Sequence, residues 1–344
     1  MSSRRKRRIL VMMHRELMPP DSLEGLSDKE IEPFKTEYDV VTALEHIGHE
    51  VHQIGLHDEL RPLRLSLQEI KPHVVFNLLE EFHGESVYDH HVVSYLELKR
   101  QAYTGCNPRG LVLGRDKALS KKILHYHRIR VPGFAVAPRG RRFRRPSRLP
   151  FPLIVKSLIE EGSVGIAEAS VVHNDDKLRE RVEFMHDHVG TDAIVEQFIA
   201  GREIYSSIMG NHQLVVLPPW ELIIGKLRAG APLIATSRTK WDLDYQERRG
   251  VTIESAKLDA GIRADIVRTT KRIYKVLGLS GYARIDFRLD PRGQLYFLEA
   301  NPNPDVARGG EFMCATEEAG MDYEATIHKL VALGQRHGRR RTQA

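Results

Sequence analysis

The chain alternates short apolar runs with longer amphipathic stretches. Ile9 to Met13 is an uninterrupted apolar run that reads as a first buried strand. Glu37 to Ile47 places Val40, Val41, Leu44 and Ile47 on one helical face, and Gly48 stops it. Val51–Gly55 and Val74–Leu79 read as strands, and Val87–Lys99 as a helix. This order predicts an open, mostly parallel sheet with helices around it, ending near Gly114.

Beyond it the spacing predicts a helix over Arg115–Arg128, closed by Val131-Pro132-Gly133. Strands are expected at Leu153–Ser157, Ala193–Phe198, Glu203–Met209 and Leu214–Leu217, with a helix over Leu178–His188. A long helix over 259–278 precedes a hairpin, Gly281–Leu289 and Leu295–Asn301, turning at Asp290-Pro291-Arg292-Gly293. A last helix over 322–333 leads into a tail expected to fray. The predicted fold class is α/β, α+β in part, with units 1–114, 115–200 and 201–344.

Composition adds little to this picture: 344 residues, 41% hydrophobic and 28% charged, are globular and argue against disorder or a coiled coil. Charge changes it more. The net is +6, but five positives fall in the first eight residues, four lie among Arg336, Arg339, Arg340 and Arg341, and six lie in 139–148. Outside those runs acids outnumber bases. Solvated tails and a surface loop explain the runs better than a nucleic-acid surface, the alternative of another class, which predicts steeply salt-dependent binding. Two distant cysteines fit a reducing compartment. The first apolar run is shorter than the ~7 residues a signal peptide needs, and no stretch reaches the ~20 residues of a membrane span. A cytoplasmic location without membrane contact is the expectation. His90-His91 and His186-x-His188 lack a third ligand at zinc spacing, so surface or core histidines are expected.

Three segments carry chemistry. In the hairpin, Tyr282, Arg284, Asp286 and Arg288 share a face, as do Glu299 and Asn301. If the connecting loop has an even number of residues, Asp286, Glu299 and Asn301 project from the same side, which gathers hard oxygen donors suited to Mg²⁺ beside an arginine. The plainer reading of such a hairpin is an amphipathic ribbon with a solvated charged face. The second segment, Glu160 to Gly165, follows the strand bearing Lys156 and offers backbone N–H groups to an anion; a plain β-turn is the alternative. The third runs from Glu196 through a Gly201 turn to Glu203, and could serve an adenine and a ribose or simply expose two acids. P-loop and dinucleotide-binding glycine motifs are absent.

Taken in order, Tyr103-Thr104-Gly105, Asp116-Lys117, Val131-Pro132, Val155-Lys156, Glu160 to Gly165, Glu196 with Gly201-x-Glu203, Lys240-Trp241, Arg284-x-Asp286 and Glu299-Ala300-Asn301 form a series. The series resembles the ATP-grasp superfamily, and within it the D-alanine–D-alanine ligases, over about residues 37–301. The resemblance implies three α/β domains, with ATP clamped between two antiparallel sheets. It implies an ATP-dependent carboxylate–amine ligase working through an acyl phosphate. Lys117 and Lys156 would hold phosphates, and Gly162, Ser163, Val164 and Gly165 would form a flap. Glu196, Gln197, Phe198 and Ile199 would be the adenine hinge, and Glu203 would bind ribose. Lys240 would reach the γ-phosphate, with Trp241 where a tyrosine is usual. Asp286, Glu299 and Asn301 would bind two Mg²⁺, with Mn²⁺ able to substitute. Arg284 would support the oxyanion. Arg284, Lys240 and Ser163 are thus the expected catalytic residues. Family members are often dimers, so a homodimer is an expectation.

The substrate side departs from the family. The N-terminal Gly-Gly-x-Ser-x-Glu is absent; Glu16 or Glu37 could replace its glutamate. The His-Gly segment survives only as His83-Gly84-Glu85, and Pro302-Asn303-Pro304-Asp305 stands where a Pro-Gly is usual. The partners expected are therefore ATP and two small molecules, an amino acid or carboxylate and an amine, with the acceptor left open.

Overall fold

The structure, a computed structural model, describes residues 6–226 and 232–341. Arg4 and Arg5 of the first basic run lie outside them, as do the side chains of Trp241, Arg339, Arg340 and Arg341.

The first sheet is parallel, in the order β2-β1-β3, from β1 (Arg8–His14), β2 (Glu50–Leu56) and β3 (Val74–Asn77). Its flanking helices are α1 (Asp28–Ile31), α2 (Lys35–His46), α3 (Arg61–Glu69) and α4 (Asp89–Leu98). β1 is central, so Ile9 to Met13 are fully buried. Ile9, Val11 and Met13 face Val40, Val41 and Leu44 of α2, while Leu10 and Met12 join the core on the other side.

Two capped helices lead onward. Asn107 Oδ1 accepts from the Gly110 amide to start α5 (Pro108–Arg115), with Pro108 in its first turn. Asp116 Oδ1 accepts from the Ala118 and Leu119 amides to start α6 (Lys117–Tyr126). The cap fixes Lys117 at the first helical position.

The second sheet is antiparallel, in the order β4-β7-β5-β6: β4 (Phe134–Ala137), β5 (Leu153–Ser157), β6 (Val171–Val172) and β7 (Ala193–Gln197). α7 (Asp175–Phe184) covers it and ends in a π-helical turn, Met185–Val189.

The third sheet runs β11-β10-β8-β12-β13, with β9 beside β8. Its strands are β8 (Arg202–Met209), β9 (Val215–Val216), β10 (Trp220–Ile224), β11 (Val251–Ser255), β12 (Tyr282–Leu289) and β13 (Leu295–Pro302). Its helices are α8 (Ser237–Trp241), α9 (Leu243–Arg249), α10 (Ala260–Val276), α11 (Glu311–Glu318) and α12 (Tyr323–Arg341). The apolar side of β12, Ala283, Ile285, Phe287 and Leu289, shares a core with Ile266, Ile273 and Tyr274 of α10. The charged side of β12 is thereby turned toward the second sheet.

The expected frayed tail is instead helical: α12 continues through Arg341. Within it Gly334 permits a close approach, since a Cβ would lie 2.5 Å from the Tyr103 carbonyl oxygen.

Candidate functional site

The β12–β13 hairpin sets the site's floor. Its register puts Asp286 opposite Glu299 and Arg284 opposite Asn301, so all four project from one face. A bulge between Asp286 and Phe287 leaves Leu298 as the extra residue on β13. This face is not solvated: Arg284, Asp286 and Arg288 are 6%, 2% and 4% exposed. The amphipathic-ribbon reading fails because a second sheet lies across the charged side.

Lys117, Lys156, Ser157, Glu160, Ser163, Val164, Glu203, Lys240, Asp286, Arg288, Leu298 and Glu299 line, with neighbouring apolar residues, a cleft of about 560 Å³ between the two antiparallel sheets. Its ion pairs follow from register. Arg288 stands opposite Glu203 on β8, and its Nη2 lies 2.9 Å from Glu203 Oε2. Arg284 grips Asp286 through Nε at 2.8 Å and Nη2 at 3.1 Å, and also reaches Glu311 at 3.4 Å. Asn301 Nδ2 donates to Asp286 Oδ2 at 3.0 Å. Lys117 Nζ donates to the Glu160 carbonyl at 2.6 Å and lies 3.3 Å from Glu299 Oε2.

Four lysines act on Glu299. Burial alone would raise its carboxyl, but Lys117, Lys156, Lys240 and Lys121 hold it down at about 2. Asp286 goes the other way: burial raises it, and Arg284 only partly offsets that.

The glycine-rich loop closes over the cleft. Gly162, Ser163 and Gly165 have positive φ (64°, 62° and 68°), and a Cβ at Gly165 would lie 2.7 Å from Val189 Cγ2. Ser237 Oγ donates to the Ser163 carbonyl at 2.5 Å, and the Ser237 amide donates to the Ile166 carbonyl at 3.1 Å. The loop is thereby joined to α8, which carries Lys240. The Trp241 side chain lies outside the described residues.

The 196–199 segment stands behind the cleft rather than in its lining. Glu196 is fully buried, 2.8 Å from Lys121 Nζ and 3.2 Å from Lys156 Nζ. Burial would raise its carboxyl, but the two lysines lower it. The Gln197 and Phe198 amides donate to the Gly133 and Pro152 carbonyls. Phe198 presents its ring to Arg288, and Ile199 is half-buried beyond β7.

Sequence reasoning did not single out Lys121 and Arg288 as site residues. Lys121 is fully buried on α6, one turn after Lys117, and its ammonium also donates to the Leu298 carbonyl. It therefore bridges β7 of one sheet and the bulge of the other. Its signal was the i, i+4 spacing from Lys117; that of Arg288 was alternation along β12.

A model of the D-Ala–D-Ala ligase C-terminus matches residues 124–332, well over half of the chain. The chain belongs to the D-Ala–D-Ala ligase family. The D-alanine–D-alanine ligase of Syntrophotalea carbinolica is 30% identical over 90% of this chain and 93% of its own length. That of Aquifex aeolicus is 28% identical over 89% of this chain and 96% of its own. The fold of the Bacillus anthracis D-alanine–D-alanine ligase, in a crystal structure complexed with ATP, superposes with a TM-score of 0.74 at 22% identity, covering 97% of this chain and 99% of that one. The three-sheet arrangement is thus an ATP-grasp fold, and the protein is an ATP-dependent ligase that forms C–N bonds.

The 139–148 basic run stands apart from the cleft. Arg139 donates to the Gly190 carbonyl, and Arg145 pairs with Asp175 at 2.9 Å. His186 Nε2 lies 2.9 Å from the Ala137 carbonyl oxygen, and His188 stacks on Phe184. Among the described residues no three His, Cys, Asp or Glu side chains are grouped to hold a metal, and no helix is long and apolar enough to cross a membrane.

Proposed function

We propose that the cleft binds Mg²⁺-ATP and phosphorylates an amino-acid carboxylate, which a second amine then captures as an amide. The observation that carries this is the lysine-rich cleft facing two opposed acids, Asp286 and Glu299, beside Arg284. The donor set fits Mg²⁺: two carboxylates and an amide oxygen are hard ligands, and they leave positions for phosphate oxygens. Bound there, the metal would neutralise charge on the phosphoryl oxygens.

The protein's own groups do the rest. Lys117 exchanges the Glu160 carbonyl for a phosphate oxygen, and Lys156 and Lys240 take others. Glu203, fixed by Arg288, accepts from the ribose hydroxyls. The 196–199 segment would serve as the adenine hinge only where the base reaches past the described lining, and Glu196 acts from behind through Lys156. Transfer of the γ-phosphoryl turns a poor electrophile into an acyl phosphate. The amine attacks the acyl carbon, Arg284 supports the developing oxyanion, and phosphate leaves. The Ser163–Ser237 contact keeps water from that intermediate. The units 1–114, 115–200 and 201–344 would then serve as a substrate-side domain and two nucleotide-clamping domains, the relatives' names suggesting D-alanine as one substrate.

The test is phosphate release from ATP and Mg²⁺ over L- and D-amino acids, singly and in pairs. Release that needs an amino acid and yields an amide is expected. If no amino acid or pair stimulates it, the reading is wrong.

A further inference from the structure

β8 alternates as β12 does. Ile204 and Ile208 enter the core shared with α10, and Ser206 Oγ pairs with Thr270 Oγ1 on that side. Glu203, Tyr205 and Ser207 therefore face the other way, along the charged side of β12. The register sets Glu203 opposite Arg288, Tyr205 opposite Asp286 and Ser207 opposite Arg284.

An aromatic ring is unexpected in that company. Tyr205 is 3% exposed, yet it joins none of the apolar cores among the described residues, and it does not line the cleft. The groups it meets are charged. Its hydroxyl donates to Glu203 Oε1 at 3.3 Å, and the Arg284 guanidinium carbon lies 5.0 Å from the centre of its ring.

Tyr205 completes the hold on both neighbours. Glu203 Oε2 is taken by Arg288 at 2.9 Å, and Arg288 is itself anchored by donating to the Leu233 carbonyl at 2.9 Å. One such contact leaves a carboxylate free to turn about its last bond, a soft torsion. A second contact, on the other oxygen, sets its plane. A carboxylate has about four acceptor sites, shared equally by its oxygens. With one on each oxygen spent on Arg288 and Tyr205, one on each is left, and a ribose offers two hydroxyls. Arg284 is fixed at its edge by Asp286 and Glu311. The tyrosine ring covers its face, where an aromatic π-cloud attracts a cation.

We infer that Tyr205 is a positioning residue with two tasks: its hydroxyl sets Glu203 for the ribose, and its ring seats Arg284 for the acyl carbon. The inference rests on the ligase reading above, and Tyr205 acts through its neighbours without touching a substrate.

Substitution separates the two tasks. Tyr205→Phe keeps the ring and removes the hydroxyl, whereas Tyr205→Leu removes both. Calorimetric titration of the full chain with Mg²⁺ and ATP, 2′-deoxyATP or 3′-deoxyATP, without amino acid, reads the first task. Wild type is expected to bind ATP about tenfold more tightly than either analogue, and Tyr205→Phe to narrow that ratio to about threefold. On a Glu203→Gln background, Tyr205→Phe should change the ratio no further, because it acts through that carboxylate. Phosphate release with amino acids reads the second task. Per ATP site counted in the calorimeter, kcat of Tyr205→Leu should fall about tenfold below that of Tyr205→Phe. Both readouts are internal to a preparation, so partly folded protein still reports. An unchanged ribose ratio in Tyr205→Phe, or equal kcat in the two variants, overturns the inference and leaves the ligase reading standing. Wild type binding the three nucleotides equally overturns the inference together with the assignment of Glu203 to ribose. No release by wild type with any amino acid overturns the inference and the ligase reading together.

Discussion

The two ends of the charged face of β12 solve opposite problems. In the cleft four acids stand against bases: Glu299 has Lys117, Asp286 has Arg284, Glu203 has Arg288, and Glu196 has Lys121 and Lys156. At the other end Glu37, 5% exposed, is buried with no base paired to it among the described residues, and burial and Asp305 push it up to about 7. The first end is balanced, so its charges can be buried ionised; the second is unbalanced, and Glu37 is buried by keeping its proton.

The largest test strikes the balanced end. Glu299→Ala is expected to cut phosphate release by about 10³-fold, with the fold intact by circular dichroism, because it leaves Lys117 unopposed and takes an oxygen donor from the phosphoryl site. Near-wild-type turnover would dissolve the contrast. Lys121→Met should come next. It leaves Glu196 with Lys156 alone, and about 3 kcal/mol of unfolding free energy should be lost in urea titrations. Loss within experimental error would mean that the buried pair contributes nothing.

The smallest effect lies at the unbalanced end and has a sign. An unfolded Glu37 releases its proton near 4.5, whereas the folded one keeps it to about 7. Between those values the folded chain binds more protons, so its stability falls as pH rises. The ligand-free protein should therefore lose urea resistance from pH 5 to 7.5, and Glu37→Gln should remove about 2 kcal/mol of that decline. A decline of the same slope in the variant would show that Glu37 is not held neutral.

The alternation along each strand of the hairpin was legible because it is local, but the face the two strands share is not set by an even connection: five residues separate Leu289 from its partner Leu295, and the bulge at Leu298 brings Glu299 and Asn301 to the side of Asp286. The burial of that face was not legible. A face reading Arg284, Asp286, Arg288 looks like a surface until another sheet lies across it, and no local pattern reports that. The acids at the far end were scattered at positions 37, 80, 161 and 305, and only tertiary contact makes them neighbours. Of these, Glu37 was in view as a replacement for a missing family glutamate, Glu161 as part of the glycine-rich segment and Asp305 as part of a departure from the family's Pro-Gly, while Glu80 was not. Short edge elements such as β4 and β11 also escaped, since four or five residues carry too little periodicity. The tail past residue 333 was expected to fray because its basic run carries no apolar face of its own.

Lys121 touches both antiparallel sheets at once, through Glu196 on one side and the Leu298 carbonyl on the other. Sliding one sheet past the other would strand that buried ammonium, so Lys121 acts as a rivet at the back of the cleft. At the front, the glycine-rich loop and α8 are joined by two ordinary hydrogen bonds made by Ser237.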